Sequence, residues 1–344
     1  MAILGQQAFT LADYAARLGP ADKIGLIIEA QAKVNQIMQD IMFREANGMT
    51  EHHTVTRTGL PLTYWRLLNR GVPRSKSTTT AVKDRMGMHE AWSRVDEDIV
   101  RLNGQGSAFL MSEEMVYVEA MQQRIAETIF YGNLELEAAS FDGLTSRYSA
   151  WSEDKAKGSV YNVINAGGTG ATNTSAWLLT HSDRTLHMVY PKGSKGGLER
   201  DYRGVQKVLD EDKNEFMAHE THYKWNLGLS LPDWRYSGRI ANIDVSGLDD
   251  LVENGGATAQ AQKLVRQMIV LHNRLPSDKP SGARRVWYMN RTVKTMLDLL
   301  AAEKSNVTLY VGNFEGETVT MFRGNPIREC ECLINTEPVV PQAA

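Results

Sequence analysis

HHTVTRTGLPLTYWRLLNRGVPRSK, residues 52–76, and TTTAVKDRMGMHEAWSRVDEDIVRL, residues 78–102, decide how this chain is read. Both segments are rich in β-branched and aromatic residues. They flank a polar tip, Val72-Pro73-Arg74-Ser75-Lys76-Ser77. That arrangement predicts two long antiparallel strands. Neither segment carries enough strong apolar positions to build a core, and an isolated hairpin is marginal in water. The arm therefore needs another surface to lie on. Its charge is also uneven. Residues 52–85 hold seven Lys/Arg (57, 66, 70, 74, 76, 83, 85) against Asp84, net +6. Residues 86–120 hold seven acids against Arg94 and Arg101, net -5. A basic segment beside an acidic one suggests complementary contact between copies of the chain.

The rest of the sequence is ordinary by composition. It has 344 residues, 42% apolar and 23% charged, with a net charge of -3. That length suits one large or two moderate domains, and the apolar content argues against disorder. The near-neutral balance disfavours a dedicated high-affinity nucleic-acid binder. The two cysteines, Cys330 and Cys332, exclude a disulfide scaffold. Their spacing places both on one face of a predicted strand as free thiols, which fits a reducing compartment. No basic-then-apolar leader opens the chain, no window reaches eighteen apolar residues, and the C-terminus carries no lipidation motif. A cytosolic product without a membrane segment is expected.

Around the arm, the periodicity predicts an amphipathic helix of about six turns from Pro20 to Asn47-Gly48. Ser112, followed by Glu113 and Glu114, predicts a helix start, and Tyr131-Gly132-Asn133 its stop. Residues 159–240 alternate short strands with glycine-rich loops. Thr258 to Leu275 and Thr292 to Glu303 read as helices around the strand Arg285–Met289. The last forty residues return to strands, including 325–335.

Chemical motifs are weak. His219-Glu220-Thr221-His222 lacks the four-residue histidine spacing of the zinc-protease helix and runs into a strand pattern, with 219 and 222 on opposite faces. Gly167-Gly168-Thr169-Gly170 and the glycines of 193–197 lack the Gly-Lys pair of a phosphate loop and read as turns. Cys330 and Cys332 lack a second pair for zinc. No carboxylate couple stands out for acid–base work. The sequence thus yields no catalytic residue, no cofactor site and no metal site. Trp65, Trp92, Trp177, Trp225, Trp234 and Trp287 read as core or interface anchors.

With the chemistry empty and the arm unexplained, the order of elements resembles the major capsid protein of tailed bacteriophages, the Hong Kong 97-like fold. AWLLTHSDRTLHMVYPKGSKGGLERDYRG (176–204) and HYKWNLGLSLPDWRYSGRIANID (222–244) are similar to segments of one group of these proteins. Val286-Trp287-Tyr288-Met289-Asn290 and Gly324-Asn325-Pro326-Ile327-Arg328 complete the pattern. The likeness covers most of the chain from about residue 50. It implies an α+β chain with an N-terminal arm at 1–50 and an extended β-hairpin loop at 51–110. A peripheral domain with a long spine helix would take 111–150, an axial domain 151–314, and return strands 315–344.

The resemblance further implies a non-enzymatic subunit that self-assembles into hexamers and pentamers of an icosahedral head enclosing double-stranded DNA. It would act with a separate scaffolding protein, a portal and a decoration protein, and touch the packaged DNA non-specifically. The arm would meet its neighbour through Trp65, Arg66, Arg70, Arg74, Lys76, Lys83 and Arg85. Glu90, Asp96, Glu97, Asp98, Glu113 and Glu114 are the candidate acidic partners. Assembly in the host cytoplasm and residence in the virion follow. A lysine–asparagine crosslink, known in the family, would have Lys76 or Lys83 and Asn325 or Asn335 to draw on, but the spacing shows no activating acid beside them. The rival readings are an encapsulin-like bacterial compartment and a metal-dependent hydrolase using His219 and His222.

Overall fold

The computed structural model describes residues 35–102, 106–209, 213–246, 259–302, 309–314 and 317–343. They fall into two compact units. One takes residues 88–126 and 197–226; the other takes the described residues of 34–87, 127–196 and 227–344.

The larger unit is built on a seven-stranded mixed sheet. Its strands are β4 (Val163–Asn165), β5 (Asn173–His181), β9 (Gly238–Asp244), β10 (Arg284–Met289), β11 (Leu309–Phe314), β12 (Glu317–Phe322) and β13 (Asn325–Glu329), in the order β11-β12-β13-β10-β5-β9-β4. All nine residues of β5 are buried, as expected of a central strand covered on both faces. Helices α5 (Ala259–Arg274) and α6 (Arg291–Ala302) pack Leu264, Met268, Leu271, Val293 and Leu297 onto the sheet, against Leu178, Trp287 and Phe322. These two helices and β10 lie within one or two residues of the sequence prediction, because each carries a strong period of its own. Trp177 and Trp287 are fully buried core anchors.

A second, six-stranded sheet has the order β1-β6-β8-β3-β2, with β7 also paired to β8. Here β1 is Phe43–Glu45, β2 Glu51–Gly59, β3 Thr78–Asp96, β6 His187–Tyr190, β7 Glu199–Leu209 and β8 Glu215–Ser230. Strands β3 and β8 each run through both units. In the smaller unit, Val95 on β3, Val100 on α2 (Glu97–Arg101) and Phe109 on α3 (Gly106–Tyr131) form a compact apolar cluster.

Four expectations are corrected. The helix predicted from 20 to 47 is not continuous. Its first part lies outside the described residues, and within the described part only Ile37–Asp40, here α1, is helical. From Ile41 the backbone is extended, and β1 pairs parallel to β6, Phe43 opposite Met188. Asp40 explains the break. It is withdrawn from solvent, ion-paired to Arg284 at 2.8 Å and hydrogen-bonded by the Tyr288 hydroxyl at 2.6 Å.

Helix α3 begins at Gly106, six residues before the predicted cap. The Ser112 hydroxyl donates to the Phe109 carbonyl at 2.7 Å, a bond made inside a helix. Burial of Phe109 holds these first turns against their weak propensity. The predicted stop at Gly132 is present: its N–H caps the Thr128 carbonyl at 2.8 Å, and a Cβ there would lie 2.3 Å from the Phe141 carbonyl oxygen.

The first arm strand ends at Gly59 instead of continuing to the expected tip at Val72. A register shift between Arg57 and Gly59 loosens the ladder, and Pro61 offers no N–H to extend it. Residues 60–77 form no helix or strand. Finally, the last strand ends at Glu329, so the cysteines do not share a strand face. Cys330 and Cys332 are buried free thiols in a turn, 3.1 Å apart. The Asn35 side-chain oxygen accepts from the Cys332 N–H at 3.0 Å.

Candidate functional site

The arm is the part of the larger unit that its own core cannot explain. Strands β2 and β3 pair antiparallel from Glu51 opposite Arg85 to Gly59 opposite Thr78. At the root the hairpin is tied down. Asp84, almost fully buried, accepts hydrogen bonds from Arg147 Nη1 at 2.8 Å and from the Ser230 hydroxyl at 2.9 Å. Arg147 Nη2 also donates to the Leu229 carbonyl at 3.0 Å. Thr56 donates to the Pro232 carbonyl at 2.8 Å. Gly228 has no room for a side chain, since a Cβ would lie 2.7 Å from the Arg85 carbonyl oxygen.

Beyond the root, every residue from 60 to 81 is exposed. Leu60, Leu62, Trp65, Leu67, Leu68 and Val72 face solvent, with Trp65 at 102% and Leu68 at 93% relative exposure. Scattered exposed leucines are normal, but these six with Tyr64, seven large apolar side chains in one 18-residue loop, mark an interaction surface. The loop's internal bonds are few: Arg66 Nε donates to the Arg70 carbonyl at 2.9 Å, and Ser75 to the Leu62 carbonyl at 2.7 Å.

The charges sharpen the same picture. Arg57, Arg66, Arg70, Arg74, Lys76, Lys83 and Arg85 are all exposed, and none forms an ion pair with a described residue. The segment's one acid, Asp84, is turned inward to Arg147. The exposed arm therefore presents cations alone.

The acidic candidates lie in the smaller unit, and most have work within it. Glu90 pairs with His222 at 3.1 Å and Lys224 at 3.5 Å. His222 and Lys224 hold its carboxyl below the usual range, outweighing its slight burial. Asp96 caps α2 by accepting from the Asp98 N–H at 2.8 Å. Glu97 pairs with Arg101 one turn on, at 2.5 Å, and Glu114 with Arg200. Glu113 is buried, and Asp98 is exposed. Sequence reasoning missed these partners because His222 and Arg200 lie on β8 and β7, far along the chain.

The histidines of 219–222 also find structural partners. His219 accepts or donates to the Tyr202 hydroxyl at 2.6 Å, and His222 stacks on Trp92 with ring centroids 4.1 Å apart. Arg203 covers Trp92's ring at 4.7 Å. Among the described residues no group of three His, Cys, Asp or Glu side chains is placed to hold a metal ion. No helix among them is long and apolar enough to cross a membrane.

A mixed-sheet body with a tethered, coreless, exposed arm has the architecture of a shell subunit of the Hong Kong 97-like class. Comparison with known proteins makes this specific. Residues 19–341 match the family described as major capsid protein GP7, and the chain belongs to that family. A structure of bacteriophage Epsilon15 superimposes with a TM-score of 0.73 at 27% identity, covering 99% of each chain. The bacteriophage JBD30 capsid gives a TM-score of 0.48 at 8% identity, over 88% of this chain and 93% of that one. A Mycobacterium phage Bobi chain gives 0.44 at 13%, over 67% and 98%. No curated protein sequence matches this chain. The chain is thus a structural protein of the phage head shell, a component of the virion that works in many copies.

Proposed function

We propose that this subunit assembles as hexamers and pentamers into a closed icosahedral head around double-stranded DNA, with residues 51–110 laid over a neighbouring copy. The observation that carries the reading is the loop 60–77. It exposes seven large apolar side chains and only positive charge, and gains nothing from its own body. Burial against a second copy removes that apolar surface from water at about 25 cal/mol per Å². Repetition over the shell makes each modest contact count. The acids of the smaller unit are the complementary charge, chiefly the exposed Asp98, since Glu90, Glu97 and Glu114 are already paired in their own chain. On this reading a separate scaffolding protein, a portal and a decoration protein act with the subunit in the host cytoplasm. Residues 111–150 serve as a peripheral domain with α3 as its spine, 151–314 as an axial domain and 315–344 as return strands.

Gly59 and Thr78 are register partners, so residues 60–77 can be replaced by a two-residue Asn-Gly turn without moving the root. The shortened chain should be folded and soluble but should form no stable shells by electron microscopy. Stable, correctly sized shells from that chain would overturn the role given to the arm.

A further inference from the structure

A second surplus of positive charge lies far along the sequence from the arm, at the C-terminal end of α5. Arg274 ends that helix, Lys279 and Arg285 follow it, and Arg323 sits in the β12–β13 turn. Each of the four is held by a hydrogen bond to an uncharged acceptor. Arg323 Nη1 donates to the Asn273 side-chain oxygen at 3.0 Å. Lys279 Nζ donates to the Asn325 side-chain oxygen at 3.1 Å, in the same turn as Arg323. Arg285 Nη2 donates to the Pro276 carbonyl at 2.9 Å, and Arg274 to the Tyr161 carbonyl. None of the four pairs with a carboxylate among the described residues, and Arg285 is almost wholly buried. The cations strain one another. Burial and the nearby Arg285 lower the affinity of Lys279 for its proton. Burial, with Arg285, Arg323 and Lys279, also lowers the affinity of His272 for its proton.

Arg323 carries a further sign. Phe322 opposes Asn325, so Arg323-Gly324 is a two-residue hairpin turn, with φ of 49° and 76°. Such a turn favours asparagine or glycine at its first position. An arginine held there points to a use for its side chain. Beside the cluster opens a cavity of about 590 Å³, whose walls include Lys155, Tyr161, Trp234, Asn273 and Arg274. The Arg274 guanidinium lies 4.6 Å from the centre of the Tyr161 ring. Asp233, next to the cavity, is taken up by both nitrogens of Arg235's fork, at 2.9 and 2.6 Å.

We propose that this groove, lined by Lys155 and Arg274, with Arg323 held at its edge on Asn273 and Lys279 beside Arg323 on Asn325, binds the phosphate backbone of nucleic acid. Arginine forks and lysine ammonium groups suit phosphate oxygens, which a duplex presents along its whole length. Arg285 does not reach the ligand; it supplies field from below. The assignment gives the DNA contact of the proposed function a place, and it rests on that reading.

The test uses the full-length, unassembled subunit and a labelled DNA duplex, with affinity read by fluorescence anisotropy from about 50 to 200 mM salt. Arg323→Asn suits the turn and should fold with an unchanged or higher melting temperature. Arg323→Asn and Lys279→Gln should each weaken binding about five- to tenfold and reduce the salt slope by about 0.9; the double variant should lose about 1.8. Arg66→Gln on the arm should change neither. A wild-type slope in the double variant would overturn the proposal and leave the cations as partners of the helix end. Polyglutamate binding that these variants abolish, with no duplex binding, would overturn it in favour of an acidic protein partner. Shells that fill with DNA normally while the subunit shows no affinity for the duplex would refute the groove and spare the head role.

Discussion

Replacing Asp84 by alanine should release the arm from its root. The carboxylate is 2% exposed and is the counter-ion of Arg147, whose side chain is 19% exposed. Truncation leaves that guanidinium in a low-dielectric site with only the carbonyls of Leu229 and Asp142 to solvate it. It also leaves the Ser230 hydroxyl without its acceptor. Breaking one side of a buried pair costs about 3–5 kcal/mol. Asp84→Asn keeps an acceptor but not the charge and should cost about 1–3 kcal/mol. Removing both ions in Asp84→Ala with Arg147→Met should recover much of the loss, because no unpaired charge remains. The assay is urea unfolding of the unassembled subunit, with hydrogen exchange at residues 80–88 to show whether the root opens first. A cost below about 1 kcal/mol for Asp84→Ala, or a double variant as unstable as the two single losses added, would refute the anchoring role.

Three further outcomes follow from the same structure. Trp65→Ser should leave subunit stability within about 0.5 kcal/mol yet weaken shells, since Trp65 touches nothing in its own body; its fluorescence should shift to the blue on assembly, and an unchanged spectrum would count against the arm contact. His187 is pushed down to about 4 by burial, then by His52, while His181 is pushed down to about 3 by burial and Arg284. Both stay neutral in the folded chain while the unfolded chain takes up protons near pH 6.5, so stability is full above that pH and falls as pH drops toward 4, by about 1.4 kcal/mol per unit for each histidine. Urea midpoints of the unassembled wild type and of His187→Gln across this range check it, the variant giving the shallower fall. Burial also raises the Cys330 thiol well above its ordinary value, so iodoacetamide should leave Cys330 and Cys332 unmodified in native protein and alkylate both in denaturant, as read by mass spectrometry.

Much of the body was legible because its signals are local. Helices α5 and α6 carry an apolar stripe at helical spacing, and β10 is a short apolar run that nothing contradicts. The failures share one cause, a distant partner that overrides a local preference. Asp40 reads as a polar helix face until Arg284 and Tyr288 take it into the core. Ser112 reads as a cap until Phe109 is seen buried with Val95 and Val100. The cysteine pair reads as strand until Asn35 supplies the bonds that make it a turn. For the arm, composition showed that it lacks a core and carries excess cation, and the structure agrees. Composition could not show that Asp84 is hidden or that Glu90, Glu97 and Glu114 are already engaged. Those facts depend on which strands become neighbours.

The cation excess of the arm also constrains how proposed arms can meet. Seven exposed cations with no exposed acid among residues 52–85 make one arm repel another. At physiological salt that repulsion reaches only about 8 Å, but paired loops would sit within this distance. A two-fold contact of arm against arm is therefore disfavoured, although the apolar loop alone would permit it. On the proposed reading the arm lies instead on a different surface of its neighbour, so each subunit gives one surface and receives on another. Contacts of that heterologous kind close into rings or extend into sheets and do not stop at a dimer. On the proposed reading the arm's excess of cations thus turns a sticky loop into a directional one, and direction is what a shell requires of its repeating unit.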